Sequence, residues 1–389
     1  MSIDQGPPMP GAGDRPGRRP PVSRAGTGRR TQPRVGAVLA GLLASAALGL
    51  AGPGGAGASG TPPAGAPATT TTVPGPVTLT VADQEGVLQA LFATTDQLAG
   101  AGYTVEWVDE PSGAAVLADE ATGAVDVGVV GDTPVVFAQA ARSPVYVVAV
   151  QSLGPAHSST QAIVVPATSP VHSVKDLAGR TVAVTPGSVG QYLLARALAR
   201  AGLPYRSVHA DPLDPAQAAA AVSAGTVGAA AVGQPELAGL EQGGHVRVLV
   251  GGWPLISDWA DVVASPDAVD QASERPAVLD FVRRLVNAET LAGRERPALA
   301  SAWAAQDQLP AAVASAALGR TTATGLKITP AALAYQQAEA DLLFRDRLVD
   351  RHLDTAREFS TVLNRLVVAR RVPVVRPTTT TSSAGPSSP

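Results

Sequence analysis

The 389-residue sequence contains no cysteine. Without a thiol, the chain can form no disulfide, thiolate metal site, iron–sulfur cluster or lipid-modified cysteine anchor, and it has no thiol nucleophile. Lysine is also scarce: Lys175 and Lys327 are the only two, and neither follows a glycine, so the chain has no P-loop. Aromatic residues make up only 4% of the sequence, and a core must therefore be built mainly from Ala, Val and Leu.

Acidic residues outnumber basic ones after residue 34. Residues 1–34 hold seven arginines and two acidic residues, a net charge of +5, whereas the remainder carries a net charge of −8. Nucleic-acid-binding domains present basic surfaces, so we expect no nucleic-acid partner for the acidic body. The five histidines show neither H-x-x-x-H nor H-E-x-x-H spacing. We therefore expect no metal and no cofactor.

An apolar stretch follows the basic, disordered leader at residues 1–34. Residues 35–51 are uncharged and rich in Ala, Gly and Leu, a length between that of a signal-peptide core and that of a membrane-spanning helix. Ala56-Gly57-Ala58 supplies a small-residue cleavage site, which favours a secretory signal cleaved before Ser59. The alternative is an uncleaved anchor with its basic end in the cytoplasm. Both alternatives predict export to the cell envelope.

Two further segments have low complexity. Residues 52–76 consist mainly of Pro, Gly, Ala and Thr and predict a linker, and residues 376–389 predict a disordered tail. The G-x-G-x-x-G at Gly52, Gly54 and Gly57 follows no strand, so it does not indicate a dinucleotide site. The folded body is therefore expected at residues 77–375.

Strand and helix patterns alternate in this body. Residues 125–130 form a mostly apolar run, typical of a parallel strand buried on both faces, and residues 188–202 carry an apolar stripe at helical spacing. Repeated units of this kind predict an α/β fold with mostly parallel sheets, whose ligands bind at the carboxyl ends of the strands. Residues 275–316 and 330–367 are expected to be helical throughout.

One segment resembles a known family. Residues 126–141 read DVGVVGDTPVVFAQAA, which is similar to the strand–loop–helix of ABC transporter solute-binding proteins of the aliphatic sulfonate/taurine/nitrate-binding family. The resemblance covers nearly all of residues 77–365 and runs in the same order along the chain. Its other segments are Trp107 with Ser112-Gly113, residues 173–203 (SVKDLAGRTVAVTPGSVGQYLLARALARAGL), residues 213–240, and residues 336–344 (QQAEADLLF).

The resemblance implies a two-lobed, periplasmic-binding-protein-like (type II) α/β fold, each lobe a mostly parallel sheet flanked by helices. Lobe one would comprise residues 77–163 and 252–375, and lobe two residues 164–251. The lobes would close on a small organic anion, an aliphatic sulfonate or taurine-like compound, which a monomeric protein would present to an ABC permease in the membrane. No bond would be made or broken.

Three segments that should face the cleft depart from the family pattern. They are residues 82–86 (ADQEG), residues 189–191 (VGQ) and residues 233–234 (GQ). These departures bear on the identity of the ligand and not on the fold, and nitrate, an aromatic acid or a pyrimidine are the alternative ligands. A second class also remains open, in which an envelope sensor or scavenger binds its ligand without an importer.

An anionic ligand needs hydrogen-bond donors that converge from several directions. Gly-rich turns at helix N-termini supply free backbone N–H groups and a favourable helix dipole. Such turns follow four predicted strands; the alternative is that Asp132, Thr133 and Ser188 only cap their own helices. The candidate ligand-binding residues are Gln84, Gly86, Ser112, Gly113, Gly131, Asp132, Thr133, Gly187, Ser188 and Val189, with Gln191 and Gln234 as further side chains.

Acidic residues complicate this anion site. We expect Asp132 to cap and orient its loop rather than touch the ligand. Asp83 and Glu85 would repel an anion; they either recognise an amine on the ligand or are solvated loop charges. Trp253 and Trp259 either wall the cleft or belong to the core.

Catalysis is not indicated by the sequence. Ser188 lies in Pro186-Gly187-Ser188-Val189-Gly190, where a nucleophile elbow would require glycine at position 186. A yeast enzyme of thiamine-pyrimidine synthesis has a similar architecture, but its cysteine-rich motif has no counterpart here. We therefore expect a binding protein and no enzyme.

Overall fold

The computed structural model describes most of the predicted body. The residues described are 77–153, 159–257, 259–321, 323–326 and 328–360, all within one compact unit, Thr71–Pro389. The predicted leader, signal or anchor segment, linker and tail lie outside the described residues, as do residues 361–375. Within the part of the chain that is described, no helix has both the length and the apolar character needed to cross a bilayer.

The first sheet has six strands. They are β1 (Val77–Gln84), β2 (Tyr103–Glu110), β3 (Val127–Gly131), β4 (Tyr146–Ser152), β10 (Trp259–Ala264) and β11 (Thr324–Leu326). Their order across the sheet is β11-β4-β10-β3-β1-β2. Strands β1 to β4 run in one direction, and β10 and β11 run against them.

The second sheet has five strands. They are β5 (Gln161–Pro166), β6 (Thr181–Val184), β7 (His209–Pro212), β8 (Ala229–Gly233) and β9 (Val246–Gly251). Their order is β7-β6-β8-β5-β9, and β5 alone runs against the other described strands. Val-rich and Ala-rich sequences such as that of β8 suit strands covered on both faces by helices.

The chain passes between the two sheets twice, from β4 to β5 and from β9 to β10. Neither connection contains a described helix, and the first strand after each crossing, β5 or β10, runs antiparallel to its neighbours in the new sheet. The first crossing was expected near Val164, but β5 pairs within the second sheet from Gln161 onward. The two-lobed α/β fold is confirmed, with mixed sheets in which most strands share one direction.

Helices cover both sheets. The first sheet is flanked by α1 (Val87–Thr95), α2 (Gly113–Glu120), α3 (Asp132–Ala141), α7 (Pro266–Asp270), α8 (Arg275–Ala292), α9 (Arg296–Gln306) and α10 (Ala311–Arg320). The second is flanked by α4 (Val189–Arg200), α5 (Pro215–Ser223) and α6 (Glu236–Gly243). Helix α11 (Pro330–Arg345) and three 3-10 turns, Val174–Leu177, Tyr205–Ser207 and Thr355–Glu358, complete the described elements.

The two long helical segments predicted from sequence are interrupted. Residues 275–316 contain the breaks between α8, α9 and α10, because Gly293 ends α8 and Pro310 precedes α10. The segment starting at Pro330 is helical only to Arg345, since Arg347 adopts a left-handed backbone with φ 61°.

The core of the first lobe is centred on Phe281 of α8. This fully buried ring lies 5.2 Å from Phe92 of α1 and 6.5 Å from Trp107 of β2, measured between ring centroids. In the second lobe, α4 buries Leu193, Leu194 and Leu198 against the sheet. Each lobe therefore has its own apolar core, as expected of a protein whose ligand binds between lobes.

Helix α11 contacts both lobes. It packs against α3 of the first lobe and α4 of the second. Its residues Leu342 and Leu343 belong to the same apolar cluster as the leucines of α4. On the other side, Gln336 Nε2 donates a 2.7 Å hydrogen bond to the backbone oxygen of Asp132. We expected this helix to belong to lobe one alone, and the packing shows it shared between the two.

Candidate functional site

A cavity of about 340 Å³ lies between the two sheets. Its wall in the first lobe comes from the β1–α1 turn, the start of α2, and β3; in the second lobe it comes from the start of α4, the end of β8, and α6. Much of the wall is apolar. The apolar residues include Leu88 and Leu91 of α1, Leu299 and Trp303 of α9, and Leu318 of α10.

The N-terminus of α2 opens onto this cavity. Ser112 is its N-cap: the hydroxyl accepts a 3.3 Å hydrogen bond from the N–H of Ala115. Gly113 and Ala114 line the cavity and precede this first capped donor. Their N–H groups belong to the four that a helix cannot satisfy internally, so they are available to an anion.

The N-terminus of α4 reaches the same cavity from the second lobe. Ser188 caps it by accepting from the N–H of Gln191 at 3.2 Å, and its hydroxyl donates to the carbonyl of Thr185 at 2.7 Å. Gly187, Ser188 and Val189 all line the cavity. The N–H of Val189, at the first position of the helix, precedes the capped donors and is available in the same way.

Gln191 does not line the cavity, and its side chain makes hydrogen bonds within the second lobe instead. Its Oε1 accepts the N–H of Gly187 at 2.8 Å, and its Nε2 lies 3.3 Å from the hydroxyl of Tyr205. The side chain is buried and holds the loop before α4 in shape. Gln234, by contrast, does line the cavity, and its buried amide atoms have no hydrogen-bond partner among the described residues.

The turn before α1 is already occupied by a carboxylate. Asp83 is fully buried and accepts hydrogen bonds from the N–H groups of Leu88 at 3.0 Å and Gln89 at 2.8 Å. Burial raises the pKa of Asp83 to about 6, although both hydrogen bonds oppose that shift. The α1 terminus therefore offers little to an anion. Of the two residues predicted here, Gln84 lines the cavity, whereas Gly86 packs against Gln306 and does not.

The polar side chains of the turn before α3 also have partners within the protein. Asp132 is buried, and its Oδ1 accepts the N–H of Thr133 at 2.9 Å, as expected of a loop-orienting cap. The Thr133 hydroxyl donates to Glu339 of α11. The second carboxyl oxygen of Asp132 accepts a 3.4 Å hydrogen bond from Ser257 Oγ. Of residues 131–133, Gly131 alone is in the cavity wall.

This geometry predicts the effect of Thr133→Val. The substitution removes the donor to the fully buried Glu339 carboxyl, so we expect the free energy of unfolding to fall by about 1–3 kcal/mol. Ligand affinity should be unchanged. Urea unfolding and titration calorimetry measure the two effects, with Thr290→Val, an exposed threonine on α8, as the control. Lost affinity at unchanged stability would contradict the placement.

Three charged residues that were not predicted from the sequence also line the cavity. They are Glu236 at the start of α6, Glu289 on α8 and Arg296 at the start of α9. Arg296 donates to the backbone oxygens of Leu318 and Thr321. Among the lining residues it is the one cation beside several acids.

Glu289 is the most deeply buried of these acids, with 6% of its surface exposed. Its Oε1 accepts a 2.5 Å hydrogen bond from Gln151 Nε2, and its Oε2 has no partner in the described part of the chain. Burial raises the pKa of Glu289 to about 8. A sequence signal existed, because Glu289 falls on the buried stripe of α8 formed by Phe281, Leu285 and Ala292.

Of the two tryptophans considered for the cleft, Trp259 lines the cavity and packs edge-on against Tyr335 at 5.2 Å between ring centroids. Trp253 is 46% exposed and lies outside the cavity wall.

The two lobes touch on both sides of the cavity. A Cβ atom added to Gly131 would overlap Cγ2 of Val189, so β3 and α4 are in direct contact. Elsewhere, Gln242 Nε2 of α6 donates to the backbone oxygen of Ala312 of α10 at 2.9 Å, and Glu241 pairs with Arg320 at 2.7 Å. The structure therefore has its lobes closed around the cavity.

Two lobes closed around a cavity are the architecture of ligand-capturing solute-binding proteins. The NMT1/THI5-like family model matches residues 98–249. An aliphatic sulfonates-binding protein of Escherichia coli K12 is 33% identical over 285 residues, which cover 72% of this chain and 87% of that protein. The chain therefore belongs to the aliphatic sulfonate- and taurine-binding family of ABC importer solute-binding proteins.

Further relatives agree with this assignment. The taurine-binding periplasmic protein of E. coli K12 is 31% identical over 55% of this chain and 66% of its own length. The alkanesulfonate-binding protein SsuA of Xanthomonas axonopodis pv. citri, solved with MOPS, is 29% identical with a TM-score of 0.68, covering 73% of this chain and 98% of its own. The desulfurization enzyme DszB, 19% identical with a TM-score of 0.51, covers 74% of this chain and 98% of its own and shares only the fold.

Proposed function

We propose that this protein is the extracytoplasmic substrate-binding component of an ABC importer and captures an aliphatic sulfonate or taurine-like compound by lobe closure. The observation that carries the proposal is the pair of open helix N-termini, α2 from one lobe and α4 from the other, at one cavity. A sulfonate has three acceptor oxygens, so it can accept from both ends at once and hold the lobes together.

The binding step needs no chemistry beyond hydrogen bonding. Curated relatives with at least 30% identity are binding proteins. The hydroxyls of Ser112 and Ser188 already cap their own helices, so neither is positioned as an activated nucleophile. We accordingly assign no catalytic residue. The expected partner is the membrane permease of the importer, which would receive the closed form.

A thermal-melting panel tests the ligand class. It comprises alkanesulfonates, taurine, sulfate, nitrate, aromatic acids and pyrimidines. A ligand present at 100 times its dissociation constant adds about 2.7 kcal/mol to stability, which is readily seen as a higher melting temperature. Stabilisation by sulfonates supports the proposal. Stabilisation only by uncharged or cationic compounds would overturn it.

Val189→Pro tests the helix ends themselves. Proline is well tolerated at the first position of a helix, and Ser188 already has the extended backbone, φ −94° and ψ 161°, that a residue before proline prefers. The substitution removes one N–H donor, so we expect sulfonate affinity to fall about 10-fold or more, the value of a hydrogen bond to a charged group. Val189→Ala keeps the N–H and is the control. Equal affinities of the two variants would contradict the role of this donor.

A further inference from the structure

Glu289 has an unused hydrogen-bonding position in the wall of the cavity. The side chain is almost fully buried, lines the cavity and accepts from Gln151 Nε2 through its Oε1. Its Oε2 is also buried and has no partner among the described residues. Because buried polar atoms normally have a partner, this oxygen indicates that the cavity receives a polar group together with its ligand.

The position of Glu289 differs from that assigned to the sulfonate. The sulfonate end of the cavity lies at the end of β3, where Gly113 at the start of α2 packs against β3 and Gly131 touches Val189 at the start of α4. Gln151, the partner of Glu289, is on β4, and β10 lies between β3 and β4. Neighbouring strands are about 4.8 Å apart, so the backbones of β3 and β4 are separated by about 10 Å. The polar group that Glu289 awaits therefore belongs to another part of the ligand.

The packing around Glu289 holds its side chain in place. One turn earlier on α8, Val286 lies directly on β11, because a Cβ atom added to Gly325 would come within 2.5 Å of Val286 Cγ2. Gly325 in turn pairs with Gln151 across the sheet. Glu289 thus lies over β4 and β11 with its Oε1 already bonded. A polar group that is positioned before the ligand arrives loses little conformational freedom on binding.

The same surroundings favour the uncharged form of Glu289. It takes part in none of the ion pairs of the described residues, and β4 and β11 contain no charged side chain. The other ionisable residues of the cavity wall are Glu85, Glu236 and Arg296. Burial raises the pKa of Glu289 to about 8, so the group keeps its proton at neutral pH. Since Oε1 accepts from Gln151, that proton belongs on Oε2, which is then a donor.

We propose that Glu289 is a specificity-determining residue whose neutral carboxyl group donates a hydrogen bond to an uncharged oxygen on the tail of the ligand. The inference rests on the proposed function and adds to it a second polar subsite, on the β4 side of the cavity. An ether, carbonyl or hydroxyl oxygen can accept this bond. A plain alkyl tail would leave Oε2 buried without a partner, which is unfavourable.

A series of isosteric sulfonates tests this subsite by titration calorimetry on the full protein at pH 6.5. Heptane-1-sulfonate is compared with 3-propoxypropane-1-sulfonate, 4-ethoxybutane-1-sulfonate and 5-methoxypentane-1-sulfonate, in which an ether oxygen replaces one methylene group at successive positions. We expect one ether to bind about 3- to 10-fold more tightly than heptane-1-sulfonate, the value of a neutral hydrogen bond. Ethers with the oxygen elsewhere should bind more weakly than the alkane, because their oxygen is buried without a donor.

Two variants distinguish the donor from mere packing. In Glu289→Gln the amide can still donate, so the preference for that ether should persist. Glu289→Met has no donor and should reduce the preference about 10-fold without weakening heptane-1-sulfonate. At pH 9 the parent should also lose the preference, because Glu289 releases its proton above its pKa, whereas Glu289→Gln should keep it. Glu106→Gln, an exposed acid on β2, should behave as the parent does at both pH values.

The outcomes separate this inference from the proposed function. If heptane-1-sulfonate binds but no ether is preferred, or if the preference is equal in the parent and Glu289→Met, the subsite is overturned and sulfonate capture stands. A preference that the parent retains at pH 9 would show that the proton of Glu289 is not the one donated. Failure of all four sulfonates to bind would overturn the proposed function and this inference with it.

Discussion

Gly131→Ala should weaken sulfonate binding about 10- to 100-fold while leaving the stability of the empty protein nearly unchanged. In the closed structure the added methyl group would overlap Cγ2 of Val189, which belongs to the other lobe. Gly131 itself has φ −62° and ψ 165°, a conformation open to alanine, so the backbone is not strained by the change. The overlap arises only when the lobes close, and overpacking of this kind costs about 1–3 kcal/mol.

Val189→Ala provides the matched test. Combined with Gly131→Ala, it removes the overlapping methyl group and should restore most of the lost affinity, whereas alone it should change affinity little. If the new methyl group blocked the ligand directly, the double variant would bind as poorly as Gly131→Ala. Titration calorimetry gives the affinities, and urea unfolding of the ligand-free variants checks that the fold is intact.

Protein stability should fall as pH rises from about 5 to 8, and Glu289→Gln should remove part of that dependence. The pKa of Glu289 is raised from 4.5 to about 8 by burial, so between these values the folded protein keeps a proton that the unfolded chain releases. Unfolding is then favoured by higher pH, at most about 1.4 kcal/mol per pH unit. The full effect, from the unfolded value of 4.5 to the folded value of about 8, should be on the order of 5 kcal/mol and complete above pH 8.

The comparison of variants isolates this carboxyl group. At pH 5, Glu289→Gln and the parent protein should have similar free energies of unfolding, and at pH 8 the variant should be the more stable. Asp261 and Glu339, whose pKa values burial also raises, contribute equally to both proteins and cancel in the difference. Glu106→Gln serves as the exposed control. Parallel pH profiles for parent and Glu289→Gln would show that Glu289 ionises normally.

Local patterns carried much of the fold prediction. Ser188 before the apolar stripe of α4, and Asp214 before Pro215, were visible as helix starts, and both cap their helices in the structure. The antiparallel strands β5 and β10 were not distinguishable from parallel ones, because composition does not determine strand direction, which appears only in the pairing with strands distant in sequence. The premature end of α11 also depended on a single backbone conformation, at Arg347.

The candidate site was less predictable than the fold, because turns of similar sequence differ in whether another side chain of the protein already bonds to them. All four turns are short polar segments before helices. At α1, however, the carboxylate of Asp83, near the end of β1, accepts the N–H groups that an anion would otherwise use. The Thr133 hydroxyl donates to Glu339 and not into the cavity, and Glu339 lies more than two hundred residues further along the chain. Glu236 and Glu289 reach the cavity only through tertiary packing. Sequence reasoning could propose donors, but which of them face the ligand is decided by side chains distant in sequence.

The shared packing of α11 bears on what the protein does when no ligand is present. Leu342 and Leu343 are buried in a cluster with residues of α4, and the same helix contacts α3 of the first lobe. Parting α11 from either neighbour would expose this apolar surface to water at a cost of about 25 cal/mol per Å². An opening motion that keeps both contacts avoids this cost, so we expect α11 to stay in place as the axis about which the two lobes part.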